Sequence, residues 1–279
     1  MPTTDGVQSS GSLEERIARC ERCAGGPVVM DWLPISFYGD YANANAWVVT
    51  INPSDREYVD RNGLALMGER QRFSSLGDFP SVSRREQLTA EQVDVIVRRQ
   101  REVFYGIPYR SFFEKLGRFL VSVHGGDPDE GGLRVFTGGV CSAEGRAFRY
   151  SHVDTVKCAT RLPWAQLDQD EKDALVSNCL GFIEEQLGTK DGLELMMING
   201  RTAYNHCKPF LTDRFGFQPS VRQVAVGRLS YMLWWGNLSV GERLVDVVGW
   251  SPNIVNSRIR TPEARILASA IRDVCPGLR

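Results

Sequence analysis

Residues Ala46-Trp47-Val48-Val49-Thr50-Ile51 form a continuous apolar run, and Asn52-Pro53-Ser54-Asp55 stops it abruptly. A short run of this kind, rich in β-branched residues and bounded by turn formers, predicts a strand buried on both faces. Such strands belong to parallel sheets covered by helices, and the chain on either side fits that pattern. Upstream, Leu13–Cys20 predicts a short helix behind a polar tail at 1–12, expected to be disordered. Downstream, 52–88 is polar and irregular, too long for a mere connector and therefore a candidate functional segment. A helix is expected at Ala90–Tyr105, where Thr89 and Gln92 form a capping box. A second, at Arg110–His124, carries Phe113, Leu116, Phe119 and Leu120 on one face. Strands are expected at Leu133–Phe136, Ser151–Lys157 and Leu193–Ile198. Helices are expected at Asp170–Leu187, ended by Gly188, and at Arg201–Phe215. Segments 221–226, 229–235 and 244–248 are strand-like, and Thr261-Pro262-Glu263 reads as the N-cap and first turn of a last helix. Alternating strands and helices predict an α/β fold with a mainly parallel sheet. No linker divides 13–279, which reads as one domain.

The 279 residues are 24% charged and 42% hydrophobic, an ordinary globular composition. No apolar run approaches the ~18 residues of a membrane span. The polar start, without an apolar core, predicts no signal peptide and a cytoplasmic location. The net charge of −1 excludes a globally basic nucleic-acid binder. Only five of the 33 basic residues are Lys. Arg suits bidentate phosphate contacts, although a genome rich in G and C produces the same bias.

Seven cysteines stand at 20, 23, 141, 158, 179, 207 and 275. In a cytosolic chain they are not a disulfide framework. Cys20 and Cys23 make a C-x-x-C, half of a zinc site or a redox pair. No second C-x-x-C or H-x-x-H follows, so a four-cysteine site would draw on distant segments. That fits a [4Fe-4S] cluster as well as zinc.

Four motifs then occur in order: Cys20 with Cys23; Val156-Lys157-Cys158 closing a strand; Cys179 with Gln186-Leu187 on a helix; and Ile198-Asn199-Gly200-Arg201-Thr202-Ala203 after a strand. Together they resemble the iron–sulfur uracil-DNA glycosylases, families 4 and 5 of that superfamily, over residues 13 to 260. The resemblance implies a three-layer α/β/α fold around a central, mainly parallel four-stranded sheet, with extra helices and strands. It implies a [4Fe-4S] cluster on Cys20, Cys23, Cys158 and Cys179 with a structural role, DNA as the partner, and a monomer. Cys141, Cys207 and Cys275 are expected to be ordinary buried thiols.

The first catalytic motif of that superfamily has versions written GQDPYH, GINPG and GEAPG. Thr50-Ile51-Asn52-Pro53-Ser54 is nearest to GINPG, with Thr50 replacing Gly. The resemblance makes Asn52 the group that positions the attacking water, with Asp55 as a nearby carboxylate base. It makes Phe73 the aromatic that stacks on the flipped base. The second motif, usually HPS or NPS, corresponds to Trp250-Ser251-Pro252-Asn253, followed by Ile254-Val255-Asn256-Ser257-Arg258. Ser251 stands where a His would stabilise the departing base oxygen. That duty passes to Asn253, Ser257 or backbone N–H groups. Asn256, Ser257, Arg258 and Arg260 are candidates for DNA contacts. No Lys occupies a nucleophile position, so a monofunctional enzyme without a Schiff base is expected.

One departure bears on the substrate. Uracil-specific members read the base with an Asn four residues before the cluster Cys of the V-K-C motif, and here Asp154 stands there. A carboxylate accepts from the cytosine N4 amine and repels uracil O4; once protonated it also donates to N3. His152, two residues earlier, shares its strand face. Ser54 replaces the Tyr that walls off C5 in the GQDPYH form, leaving room for a C5 substituent. These departures predict a C5-modified cytosine, such as hydroxymethyl- or glucosyl-hydroxymethylcytosine of phage DNA, and hence phage defence. The alternatives are a uracil-DNA glycosylase of base-excision repair and a non-catalytic iron–sulfur nucleic-acid-binding protein.

Overall fold

The structure, a computed structural model, describes residues 11–257 and 259–278. The expected tail therefore lies outside the described residues except for its end. There, Ser12 caps helix α1 (Leu13–Ala18) in a reciprocal capping box with Glu15. The elements that follow are β1 (Ala46–Thr50), α2 (Ala90–Glu102), α3 (Arg110–Val123), α4 (Arg134–Gly138), β2 (Val140–Cys141), β3 (Ala147–Phe148), β4 (Tyr150–Asp154), α5 (Gln169–Thr189), β5 (Leu195–Asn199), α6 (Arg201–Phe215), β6 (Ser220–Val226), β7 (Leu229–Val240), β8 (Arg243–Trp250) and α7 (Thr261–Val274).

The central sheet has six strands in the order β4-β1-β5-β8-β7-β6. This corrects the four-stranded expectation. β4, β1, β5 and β8 run parallel; β7 pairs antiparallel with β8, and the edge strand β6 pairs antiparallel with β7. The parallel strands β1, β4 and β5 are buried throughout; β1 and β5 are almost wholly apolar, whereas β4 also buries Ser151, His152 and Asp154.

Strand alternation sends side chains to two helical layers. Val48, Met197 and Val248 pack with Phe113 and Leu120 of α3 and Leu267 and Ile271 of α7. Trp47, Ile198 and Val247 pack on the other face with Ile183 of α5 and Tyr204 and Leu211 of α6.

Three local expectations are corrected. Leu133–Phe136 enters the short helix α4 rather than a strand. Helix α5 runs through Gly188 to Thr189. Helix α7 is capped by Arg260, whose main chain and side chain both bind Glu263, so Thr261 is already helical. Among the described residues no helix is long and apolar enough to cross a membrane.

Candidate active site

In open α/β sheets, ligands bind beyond the carboxyl ends of parallel strands. A cavity of ≈ 400 Å3 lies there, at the ends of β1, β4 and β8, with α3 as one wall. It brings together Asn52, Ser54, Asp55, His152, Asp154, Asn253 and Asn256, all singled out from sequence. It also gathers Thr50, Glu57, Tyr109, Phe112 and Thr160, which were not.

The floor is a hydrogen-bonded chain across the β1–β4 pair, where Thr50 lies beside Asp154. The Thr50 hydroxyl donates to Asp154 Oδ1. His152 Nε2 is 3.0 Å from the same hydroxyl oxygen and 3.7 Å from Asp154 Oδ1. A hydroxyl has one hydrogen, and Thr50 gives it to Asp154. His152 Nε2 therefore carries the proton shared with Thr50, and Nδ1 is the ring's acceptor. Burial keeps the imidazole neutral by lowering its pKa; the Asp154 charge opposes this and Lys157 adds to it. Behind the floor, Lys157 Nζ donates to the Asp154 carbonyl at 2.7 Å and to Gln186 Oε1 at 2.7 Å. Burial pushes this lysine down to about 8.

Four buried polar atoms on residues lining the cavity have no hydrogen-bond partner among the described residues: the acceptors Glu57 Oε2, His152 Nδ1 and Asp154 Oδ2, and the donor Trp164 Nε1. Buried polar atoms are normally paired. A cluster of orphans in one cavity wall is what a site for a polar ligand looks like.

Asn52 sits at the first turn after β1. Its Nδ2 donates to the Pro53 carbonyl at 2.9 Å and to Thr160 Oγ1 at 3.3 Å. The amide is thereby oriented with Oδ1 left to accept a hydrogen. Ser54 Oγ donates to Asp55 Oδ1 at 3.0 Å and accepts from Arg56 N at 3.1 Å, which fixes the turn.

The second loop, after β8, is held from three sides. Asn199 Oδ1 accepts from Trp250 Nε1 and Ile254 N, each at 3.0 Å. Lys115 Nζ donates to the carbonyls of Val255 at 3.0 Å and Ser257 at 2.8 Å. Gly200, at φ +102°, leaves the Asn253 backbone within 3.3–3.4 Å of where a Cβ would stand. Asn253 Oδ1 accepts from the N–H groups of Val255 and Asn256, so its amide donor end remains for a ligand. Ser251 is not part of the cavity wall. Its main chain and Oγ both pair with Met232, closing the end of the β7–β8 ladder. Ser257 Oγ is turned back to the Ile254 carbonyl. Arg260 is exposed and ion-paired with Glu263 at 2.9 Å. Arg258 lies outside the described residues.

Phe73 is also placed elsewhere. It is 2% exposed, packed edge-on against Tyr38, and does not line the cavity. The aromatic wall is instead Tyr109 and Phe112, near-parallel with centroids 6.5 Å apart. Their i, i+3 spacing at the start of α3 is the sequence signal that finds them. Arg72 lies over the Tyr109 ring at 5.5 Å.

Cys207 and Cys275 are buried as expected, whereas Cys141, at the end of the two-residue strand β2, is exposed. Cys23, Cys158 and Cys179 gather in an apolar cluster with Val28, Val156 and Leu175. Hydrogen bonds from the Cys158 and Cys179 thiols bring the Cys23 thiol down to about 3, while those two thiols are pushed well up, first by sharing hydrogen bonds with Cys23 and then by burial. Burial also pushes Cys20 up, and the Cys23 charge acts on it. Among the described residues no group of three or more His, Cys, Asp or Glu is arranged to hold a metal ion. The surroundings nonetheless fit thiolate ligands. Asn178 Nδ2 is 3.6 Å from Cys23 Sγ, Arg85 Nη1 3.5 Å from Cys158 Sγ, and Lys157 N 3.5 Å from Cys179 Sγ. Arg85 is wholly buried, and its other partners are the carbonyls of Cys20, Val29, Met30 and Trp32, with no carboxylate among the described residues. A buried cation needs a counter-charge, and anionic sulfur is the one its surroundings offer.

Compared with known proteins, the chain matches no family model and no curated protein.

Proposed function

We propose that the protein is a monofunctional DNA glycosylase with a uracil-DNA glycosylase-like architecture. It hydrolyses the N-glycosidic bond of a flipped, C5-modified cytosine and leaves an abasic site. The observation that carries this reading is Asp154, buried at the cavity floor with Oδ1 bound by Thr50 and Oδ2 without a hydrogen-bond partner among the described residues. His152 Nδ1, an acceptor, is the other unpartnered floor atom. Two acceptors call for a ligand rich in N–H. The cytosine N4 amine supplies two hydrogens; uracil O4 would meet acceptors only.

In this reading Tyr109 and Phe112 offer an aromatic wall to the base, as flipped bases require. Asn52 Oδ1 holds a water against the sugar C1′. The glycosidic electron pair leaves with the base, and the Asn253 amide donates to base O2 as charge develops there. The water oxygen bonds to C1′, and Asp55, in the same cavity, takes its proton. Asn256, Ser257 and Arg260 lie on the loop that meets the DNA backbone. Cys20, Cys23, Cys158 and Cys179 would hold a [4Fe-4S] cluster, which supplies a cross-link between the N-terminal segment and the sheet rather than chemistry. The chain acts as a monomer in the cytoplasm. Hydroxymethylated and glucosylated cytosines are carried by phage DNA, so a glycosylase for them would act in phage defence.

The test is base release by the wild-type protein from oligonucleotides carrying uracil, cytosine, hydroxymethylcytosine or glucosyl-hydroxymethylcytosine. Release of a modified cytosine supports the proposal. Release of uracil alone would establish the repair enzyme, and DNA binding without release of any base a non-catalytic binder.

A further inference from the structure

Glu57 is used neither by the water-positioning turn nor by the reading of the base edge. It closes the single 3-10 turn Asp55–Glu57, its N–H donating to the Ser54 carbonyl at 3.1 Å. The side chain is 3% exposed, lines the same cavity as Asp154, and leaves Oε2 buried with no hydrogen-bond partner among the described residues. A carboxyl oxygen in that state carries an unrecovered desolvation cost, and a ligand group is its natural partner.

The charged and titratable groups acting on Glu57 or responding to it are Arg72, Asp154, Tyr38 and Tyr58. Burial pushes the carboxyl up to about 8; Arg72 opposes this and Asp154 adds to it. At neutral pH Glu57 is therefore uncharged, with one O–H donor and a carbonyl acceptor. A ligand hydroxyl needs that combination: an acceptor for its hydrogen and a donor for its lone pair. A methyl group needs neither.

We propose that Glu57 is a specificity residue that hydrogen-bonds a hydroxyl on the C5 substituent of the flipped cytosine. The assignment rests on the cytosine reading above. With Asp154 on the N4 edge, the Ser54 turn faces C5, and Glu57 lies three residues further along that turn. A cavity of ≈ 400 Å3 falls within the usual range for small-molecule sites, ~300–1,000 Å3, and leaves space beyond one pyrimidine ring. The hydroxyl can belong to a hydroxymethyl group or to a sugar attached to it, and both satisfy the same carboxyl.

The experiment compares single-turnover release of 5-methylcytosine, 5-hydroxymethylcytosine, glucosyl-hydroxymethylcytosine and uracil by the full chain. It is run across a pH series that brackets about 8. The wild type is expected to favour a hydroxylated cytosine over 5-methylcytosine by roughly ten- to a hundredfold, the effect of one hydrogen bond and its unpaired alternative. That preference should fall as pH rises through about 8. Glu57→Gln keeps a donor and an acceptor without titrating, so it should remove the fall. Glu57→Leu should abolish the preference. The faster of the two hydroxylated substrates identifies which substituent is read. Equal wild-type rates on the methyl and hydroxymethyl bases would overturn the assignment and need no variant to interpret. So would an unchanged preference in a Glu57→Leu protein that melts cooperatively. Release of uracil alone would overturn the cytosine reading and this assignment together, which distinguishes the two failures.

Discussion

Thr50 gives its only hydroxyl hydrogen to Asp154 and accepts from His152, tying two strands and three side chains into one chain at the cavity floor. Thr50, the last residue of β1, is thus the link that sets which way the floor groups point. Thr50→Val keeps the shape and removes the link. It should slow base release by roughly ten- to a hundredfold, since the Asp154 and His152 atoms lose a buried partner, and Thr50→Ser should restore most of the rate. Single-turnover kinetics on the preferred base checks both. Full activity in Thr50→Val would remove the hydroxyl from the account.

Asn52→Ala should bind DNA with wild-type affinity and release base more slowly. A lost positioning group raises the barrier by about 2–4 kcal/mol, which is roughly thirty- to a thousandfold in rate. Gel-shift titration beside a release assay separates the two effects. Near wild-type release would hand the water to Asp55.

Stability should respond to acid through the buried histidines. Burial, with Arg272 and Arg146 adding, brings His124 down to about 4 from 6.5. A depressed folded pKa gives stability that is complete above the unfolded value and lost as pH falls from 6.5 towards 4. At ~1.4 kcal/mol per unit, His124 accounts for at most about 3 kcal/mol of that loss. His152 acts in the same direction. Glu57 acts oppositely, its raised carboxyl costing stability as pH climbs from 4.5 towards 8. Thermal melts across this range should show a shallower acid limb in His124→Gln and a shallower alkaline limb in Glu57→Gln.

The thiol cluster yields a prediction independent of activity. Protein purified without oxygen should contain iron and acid-labile sulfide in equal amounts, and Cys158→Ser should lose both. Arg85→Met removes the cation beside Cys158 Sγ and should lower the reduction potential of the bound group, since positive charge near a cluster favours the electron-rich state. Redox titration followed by electron paramagnetic resonance reads this. Iron-free protein with full activity would contradict the cluster.

What was legible in the sequence follows from the range of the forces involved. β1 and β5 are short, nearly continuous apolar runs, and Thr89 with Gln92 forms the expected reciprocal cap. Leu133-Arg134-Val135-Phe136 is too short to show a period that separates strand from helix; Val135 and Phe136 pack into the core with Phe113 and Leu116 of α3 as the helix α4. The full length of β7, Leu229–Val240, was hidden because its second half alternates around Gly236 and is stabilised by pairing with β8. At the site, Asn52, Asp154 and Asn253 were found because each follows or ends a strand in a recognisable motif. Thr50 and Glu57 escaped because their roles depend on long-range register and on inward burial, which spacing along the chain does not encode. Phe73 has the place in the sequence that the resemblance assigns to the stacking aromatic, whereas the α3 N-terminus brings Phe112 to the cavity in space.

The account rests most heavily on Asp154 as the group that reads the base. The measurement that tests it most directly is the ratio of release rates for hydroxymethylcytosine and uracil in the wild type and in Asp154→Asn. An Asn offers a donor to O4 and an acceptor to N3–H, whereas the carboxyl suits the cytosine amine. A site built on polar pairing discriminates steeply, because the wrong edge leaves buried groups unpaired. The prediction is a wild-type ratio strongly in favour of hydroxymethylcytosine, and a ratio shifted towards uracil by at least tenfold, about 1.4 kcal/mol, in Asp154→Asn. A wild type that releases uracil efficiently and ignores cytosine derivatives, or a ratio unmoved by the substitution, would contradict it.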